Sequence, residues 1–480
     1  MKILYYNWVD YLDREKRGGG VSHYQRNLLS ALESRSENEA HFLSSGIAHT
    51  LRPGKPRWSE IRSGNKNSST RRFQIINAGL MAPAHADYGS PAQVEEPATE
   101  AAFMDFVTHN GPYDVIHFNN LEGLPANVLR IKDRWPATRV VLSLHNYYPF
   151  CPQVNLWRTE SVNCTDSAGG TLCQTCLPVR ADPRAVRLAH AVSWELNRLR
   201  MGPGTVVFDR VFYPFLILVW RAYRKIMRRR SAKPALGNFA QRRAAMVGLI
   251  NRHVDAVLCV SDRVRQIAAH HGLMAEKLHT SYIGTAEAEK WETTQPKPRM
   301  LRADGTTHLA YMGYMRRDKG FFFLLDALEE MPDDIAARLR LTIAAHQGDA
   351  WVMARLHSLS KRLSELRLVN GYTHDGLDDL LADVDLGVVP VVWEDNLPQV
   401  AIEMHARHIP LITSDRGGAQ ELGRCSDLTF RAGDKADFYR VLEAVLEERI
   451  TPAAYWRNAM VPVTMQAHLA QLLTHYEGTA

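Results

Sequence analysis

Apolar runs and amphipathic stretches alternate along this chain. "KILYYNW" at its start reads as a buried strand. "GGGVSHYQRNLLSALES" follows, a glycine-rich turn opening a helix with Val21, Tyr24, Leu28, Leu29 and Leu32 on one face. "YDVIHFNN" and "TRVVLSLHNYY" are predicted strands, with a helix at "GLPANVLRIKDRW" between them. "VDAVLCVSD" is a further strand and feeds a helix from about Asp262. This rhythm predicts a doubly wound parallel sheet.

The rhythm restarts after the polar linker "EKWETTQPKPRMLRADGTT". Strands are predicted at "HLAYMGYM", "LRLTIAAH", "DLGVVPVVW" and "IPLITSD", with helices at "GFFFLLDALEEM", "DGLDDLLADV" and "PQVAIEMHAR". Two α/β domains are therefore expected, over 1–290 and 300–462, with a C-terminal helix in 463–480 packing back on the first. Two regions break the pattern. Residues 50–100 are polar and read mostly as irregular loop, and about 151–250 read as an insertion in the first domain.

Length agrees with this division, since 480 residues exceed one compact core. Apolar residues make up 45% and charged ones 23%, as in a soluble globular protein, and a net charge of +6 does not by itself argue for nucleic acid. The N-terminus lacks the features of a secretory signal. No apolar run reaches the roughly 18–20 residues that span a bilayer. Six cysteines in so long a chain point to a reducing cytoplasm rather than a disulfide scaffold.

In open parallel sheets, ligands bind beyond the carboxyl ends of the strands. Several candidates fall there. Gly18, Gly19 and Gly20 open a helix after the first strand, as a plain tight turn or a ligand contact. His145 ends a strand, as a structural hydrogen-bonding group or a catalytic one. Lys319, beside Arg316 and Arg317 at a helix entrance, suits a diphosphate, although a solvated basic turn looks the same. In "EDNLPQVAIEMHARHIPLITSDRGGAQEL", Asp395 follows a buried strand and Pro398 suits a first helical position. Amides near Asn396, Leu397 and Pro398 would face the same mouth. Glu403 stands about 7.5 Å further along the helix axis. The competing reading makes Gln399, Glu403 and Arg407 an exposed ion-pair stripe. The "DVD" at 383–385 directly precedes a buried strand and reads as structural.

The order of these motifs resembles a family-4-type retaining glycosyltransferase of the GT-B fold, in the group 1 glycosyl transferases. The resemblance runs through "GGGVSHYQRNLLSAL", "YDVIHFNN", "LSLHNYYPFCP", "DAVLCVSDRV", "YMGYMRRDKG" and "WEDNLPQVAIEMHARHIPLITSDRGGAQEL", and the last is the specific one. It implies two Rossmann-like doubly wound domains facing a cleft. It implies a UDP- or GDP-linked sugar donor, a glycan or lipid-linked acceptor in envelope or exported polysaccharide synthesis, and no catalytic metal. Asp395 would hold the sugar, Glu403 the ribose and Lys319 the diphosphate. His145 would lie near the donor sugar and the glycine turn near the diphosphate and acceptor. The family's first acid is usually Glu, so Glu394, one residue earlier, shares the candidacy with Asp395. Tyr314 follows Gly313 where the family commonly has Arg, leaving Arg316 or Arg317 to supply that charge. A GT-B-fold sugar-nucleotide epimerase is the alternative enzyme. A nucleic-acid binder using the Cys cluster and the Arg run is the alternative outside enzymes, and nucleic acid is not the expected partner.

The insertion carries two features of its own. Cys151, Cys164, Cys173 and Cys176 cluster in a loop-like segment, as a structural zinc site, free thiols or a redox pair. "VFYPFLILVWRAYRKIMRRR", residues 211–230, is either a buried helix with a basic end or an anchor on anionic lipid, placing the protein on the inner face of the cytoplasmic membrane.

Overall fold

Strand β1 (Lys2–Tyr6) is buried over its last four residues, as a continuous apolar run requires of a central parallel strand. In this computed structural model, which describes residues 1–35, 37–62, 69–177, 182–228 and 237–478, the chain divides into two compact units. The first comprises Met1–Val260, Arg265–Ile283 and Gln466–Ala480, and the second Ser261–Val264 with Gly284–Met465.

The first unit is built on β1, β2 (Glu39–Ala48), β3 (Arg57–Glu60), β4 (Arg71–Ile76), β5 (Val115–Phe118), β6 (Arg139–Leu144), β9 (Ala256–Cys259) and β10 (Leu278–Thr280). Between β6 and β9 lies a small antiparallel hairpin, β7 (Trp157–Arg158) and β8 (Val162–Asn163). The sheet order is β10-β9-β6-β5-β1-β2-β4-β3, parallel throughout except for β3 against β4. The order reverses between β1 and β5.

The described residues between 50 and 100 are more ordered than their polarity predicts. β4 buries Phe73, Ile75 and Ile76 after Arg71 and Arg72 and pairs with β2. Trp58, Phe73 and Phe106 then meet edge to face at centroid distances of 5.0–6.1 Å. Each such pair is worth about 0.5–1.5 kcal/mol beyond area burial. The insertion also ends earlier than expected. The helix Phe239–His253 buries Met246, Leu249 and Ile250 and leads into β9 as a crossover helix.

The second unit contains β11 (Thr307–Met312), β12 (Leu339–Ala345), β13 (Glu365–Asn370), β14 (Leu386–Val389), β15 (Leu411–Ser414) and β16 (Thr429–Phe430). Their order, β13-β12-β11-β14-β15-β16, is the doubly wound dinucleotide-type order with its switch point between β11 and β14. Asp385, the second acid of the "DVD", is held by Lys297 at 2.9 Å and Arg302 at 2.7 Å at the start of β14. It anchors the sheet's opposite end.

The helix Met465–Glu477 places its residues from Gln466 onward in the first unit. There Tyr476 Oη lies 2.6 Å from buried His117 Nδ1, and His468 Nε2 lies 2.7 Å from Tyr24 Oη. Tyr476→Phe should leave His117 Nδ1 unpaired at a cost of about 1–3 kcal/mol. Urea unfolding measures it, and an unchanged midpoint and slope would mean that the hydroxyl contributes nothing.

Candidate active site

The loops after β11 and β14 meet at the second unit's switch point. After β11 the chain turns through Gly313 and reaches Lys319 just before the helix Phe321–Glu330. Gly320 caps that helix at φ +70°, and a Cβ there would stand 1.7 Å from the Pro390 carbonyl oxygen. This close approach brings the β11 and β14 loops together. Lys319 Nζ then sits 2.7 Å from Asp395 Oδ2 and 5.7 Å from the centroid of the Trp393 ring.

Glu394 and Asp395, adjacent in sequence, are divided between two tasks. Glu394 is buried and receives Arg263 in bidentate fashion at 2.8 and 2.6 Å, Arg416 at 3.1 Å and the Gly417 amide at 3.1 Å. Burial alone pushes its carboxyl up. The Arg263 hydrogen bond and charge, the Gly417 amide and Arg416 outweigh that and hold it below the ordinary range. Its acceptor capacity is spent on the protein. Asp395 turns to Lys319 instead, while its own carbonyl accepts from the Gly418 amide at 3.0 Å. A Cβ on Gly417, at φ +68°, would fall 2.0 Å from that carbonyl, so glycine is required there.

Asn396, Leu397 and Pro398 are all buried, and Pro398 is the N-cap of the helix Gln399–His405 rather than its first residue. Glu403 lies within this helix and is 4% exposed, and Arg407 is 8% exposed. The exposed ion-pair stripe is therefore overturned. Arg407 is consumed by Glu287 at 2.6 Å and Asp378 at 2.8 Å, and donates to the Glu403 carbonyl at 3.0 Å. Glu403 Oε1 faces His374 Nε2 at 3.3 Å, while Oε2 is buried with no hydrogen-bond partner among the described residues. Such a buried acceptor invites a donor from outside the chain. Arg316 and Arg317 are exposed, and Arg316 pairs with Asp318 at 2.9 Å.

In the first unit, Gly18 caps the helix Gly19–Glu33 with no side-chain bond. A Cβ on Gly18 would collide with Ser22 Oγ at 1.9 Å. Ser22 Oγ and Gln25 Nε2 are buried without hydrogen-bond partners among the described residues. Asn7 and Asn120, beyond the ends of β1 and β5, link to this helix through Gln25 at 3.0 and 2.6 Å along the chain of amides. His145, following β6, lies 3.2 Å from Asn119 Oδ1, and its ring stands 5.0 Å from that of Tyr24. Burial, then nearby His468, pushes His145 down to about 3, so it is neutral and can only share hydrogen bonds at ordinary pH. Fully buried Glu122, which the sequence does not flag, accepts from the Ala84 amide at 2.6 Å and from Asn146 at 2.8 Å.

The four cysteines of the insertion line one small cavity with Tyr88, Phe150, Trp157, Arg158 and Arg243. All are free thiols. No group of three or more His, Cys, Asp or Glu among the described residues is placed, as the side chains stand, to hold a metal.

Sequence reasoning missed Arg263, Trp393, His374 and Arg416. Only the "RGG" at 416–418 carried a legible signal, as a place where backbone approaches backbone.

Comparison with known proteins bears on the fold and on the second unit. Residues 306–448 match the family model described as glycosyl transferases group 1. They begin one residue before β11 and include Lys319, Asp395 and Glu403. No curated protein matches the chain by sequence. Solved structures match along almost all of it. Sucrose-phosphate synthase from Thermosynechococcus elongatus aligns with TM-score 0.55 at 14% identity, over 100% of this chain and 98% of the other. A UDP-forming α,α-trehalose-phosphate synthase from Burkholderia xenovorans gives 0.53 at 14%, over 100% and 99%. Anabaena HepE in complex with UDP and glucose gives 0.52 at 13%, over 99% of each chain. At these identities the likeness establishes the fold, which is GT-B with two Rossmann-like domains. The protein is a glycosyltransferase, and its second unit carries the group 1 match.

The Glu403 hydrogen bond and charge raise the His374 imidazole above its ordinary 6.5, against a smaller opposing effect of burial. A raised folded value means that the contribution is complete below about 6.5 and fades as pH rises through the raised value. The melting-temperature difference between wild type and His374→Gln should therefore be largest under mildly acid conditions and vanish under alkaline ones. It will be small, since His374 is half exposed. A difference that stays constant with pH would remove the charged pair.

Proposed function

We propose that this chain is a retaining glycosyltransferase. It moves a sugar from a nucleoside diphosphate to a glycan or lipid-linked acceptor in envelope or exported polysaccharide synthesis. The carrying observation is the Lys319–Asp395 contact at the switch point, with the half-satisfied carboxylate of Glu403 on the next helix. Lys319 takes the diphosphate and neutralises the charge that grows on it as the bond to the sugar breaks. Asp395 receives the sugar hydroxyls, and Glu403 Oε2 accepts from the ribose. The acceptor hydroxyl attacks from the face the diphosphate leaves and passes its proton to the departing phosphate. The first unit is read as the acceptor half, with His145 and the glycine turn at the carboxyl edge of its sheet. That HepE was solved with UDP and glucose favours a UDP-linked donor over a GDP-linked one.

Lys319→Ala should fold and lose about 10²–10³ in turnover. Asp395→Asn should lower turnover while leaving nucleotide binding close to wild type. Glu403→Gln should weaken free nucleoside diphosphate by about 1.5–3 kcal/mol, the range for a hydrogen bond to a charged group. Calorimetry and donor kinetics on the same three variants test the reading. Normal nucleotide binding by Glu403→Gln would remove the ribose assignment, and normal turnover by Lys319→Ala the whole site. Release of free nucleotide with an extended acceptor separates transfer from epimerisation, in which the sugar stays on the nucleotide.

The same reading places the enzyme peripherally on the inner face of the cytoplasmic membrane. No helix among the described residues is long and apolar enough to cross a bilayer. The helix Tyr213–Arg228 does not bury its apolar residues, against the alternative of a packed core helix. Val211, Phe215, Leu218 and Ile226 recur at helical spacing, each more than half exposed, with Tyr213 and Trp220 among them and Arg221 and Lys225 also exposed. Apolar and aromatic side chains interleaved with cations suit an anionic lipid interface. Arg229 and Arg230 lie outside the described residues. The protein should sediment with phosphatidylglycerol-containing vesicles, less so in high salt, and Phe215→Glu with Leu218→Glu should leave it in the supernatant. Undiminished sedimentation of that variant would overturn the anchor.

A further inference from the structure

We propose that Cys151, Cys164, Cys173 and Cys176 form a tetrahedral zinc site that pins the loop following β6. Their sequence spacing is irregular, yet the fold brings all four to the lining of a single cavity. Its volume is about 10 Å³, room for one ion or water molecule. Cys151, Cys173 and Cys176 are buried and Cys164 is partly so. Four sulfur ligands about one point are the usual set for structural zinc.

The surroundings supply the charge such a site needs. Zinc held by four thiolates carries a net charge of about −2. Arg158 and Arg243 both line the cavity. Arg243 donates to the Phe150 carbonyl at 2.9 Å, to Ser167 Oγ at 2.5 Å and to Cys173. No carboxylate pairs with it among the described residues. A cation with only neutral acceptors, turned towards thiols, is explained if those thiols are thiolates. A coordinating thiol is deprotonated outright by a divalent metal.

The backbone makes a second argument. Val154, Leu156, Thr159, Glu160 and Ala168 all hold φ between 46° and 67°. β-Branched residues rarely take this conformation, and it persists where the surroundings over-determine it. Among the described residues the segment has only the two-residue strands β7 and β8 as regular pairing, so a four-point metal clip supplies the missing constraint. As the side chains stand, Cys176 donates to Gln153 Oε1 at 2.9 Å and Cys164 to the Asp166 carbonyl at 3.6 Å. Closing the ligand set turns these thiols from their oxygens into the cavity they already line. The site is independent of the donor-binding reading.

Metal analysis of the full-length, reduced protein should find one zinc per chain, and Cys173→Ser with Cys176→Ser should abolish it. If that variant fails to fold, cobalt(II) exchanged into wild type serves instead. It should show thiolate charge-transfer absorption and the visible bands of tetrahedral cobalt. Zinc-free folded protein that gives no such bands would overturn the proposal. So would undiminished zinc in the double variant, or an intact mass of unreduced protein showing these cysteines joined as disulfides.

Discussion

The buried carboxylate of Glu394 is the constraint on which the arrangement of Asp395 and Lys319 depends. A charge out of water must be matched, and Arg263, Arg416 and the Gly417 amide match it. Their geometry fixes the β14 loop against the glycine turn after β15. With its neighbour locked, Asp395 has one direction left, and it points at Lys319. Removing Arg263 or Arg416 would uncover the charge on Glu394 and loosen the loop carrying Asp395, so both are positioning residues.

The rest of the second unit delivers Lys319 to that carboxylate. Strand order reverses between β11 and β14, so their outgoing loops part to opposite faces and leave a crevice. Gly320 lets the β11 loop touch the β14 loop backbone to backbone. Glu403 is placed by the next helix, whose polar residues are buried because Arg407 is neutralised by Glu287 and Asp378. The first unit repeats the plan with different chemistry. Its switch point, between β1 and β5, is lined by amides and hydroxyls, and its histidine is neutral. Uncharged groups of this kind suit hydroxyl-rich ligands better than phosphate.

Much of this was legible in the sequence. Alternating apolar runs gave both doubly wound sheets, and it was the resemblance of the motifs to a known family, not their spacing, that singled out Asp395 and Glu403. Three things were not legible. β4 was hidden because its two arginines lower the average hydropathy, although only Arg71 is exposed and Arg72 is buried against Asp10, a partner remote in sequence. The choice between Glu394 and Asp395 rests on Arg263 and Arg416, which are remote in sequence, so no local pattern encodes it. Periodicity also made Gln399, Glu403 and Arg407 look like a solvent-facing stripe. A polar stripe reads the same whether water or buried partners cover it, and here Glu287 and Asp378 are among the partners.

The central claim is that the second unit binds a sugar nucleotide through its diphosphate and ribose. Wild-type melting temperature in the presence of UDP, GDP and ADP and their glucose-linked forms tests it most directly, since a ligand of the native state raises that temperature. The account predicts a concentration-dependent rise with one base, UDP foremost, for both the free diphosphate and its sugar. No rise with any of the six at millimolar concentration would contradict it.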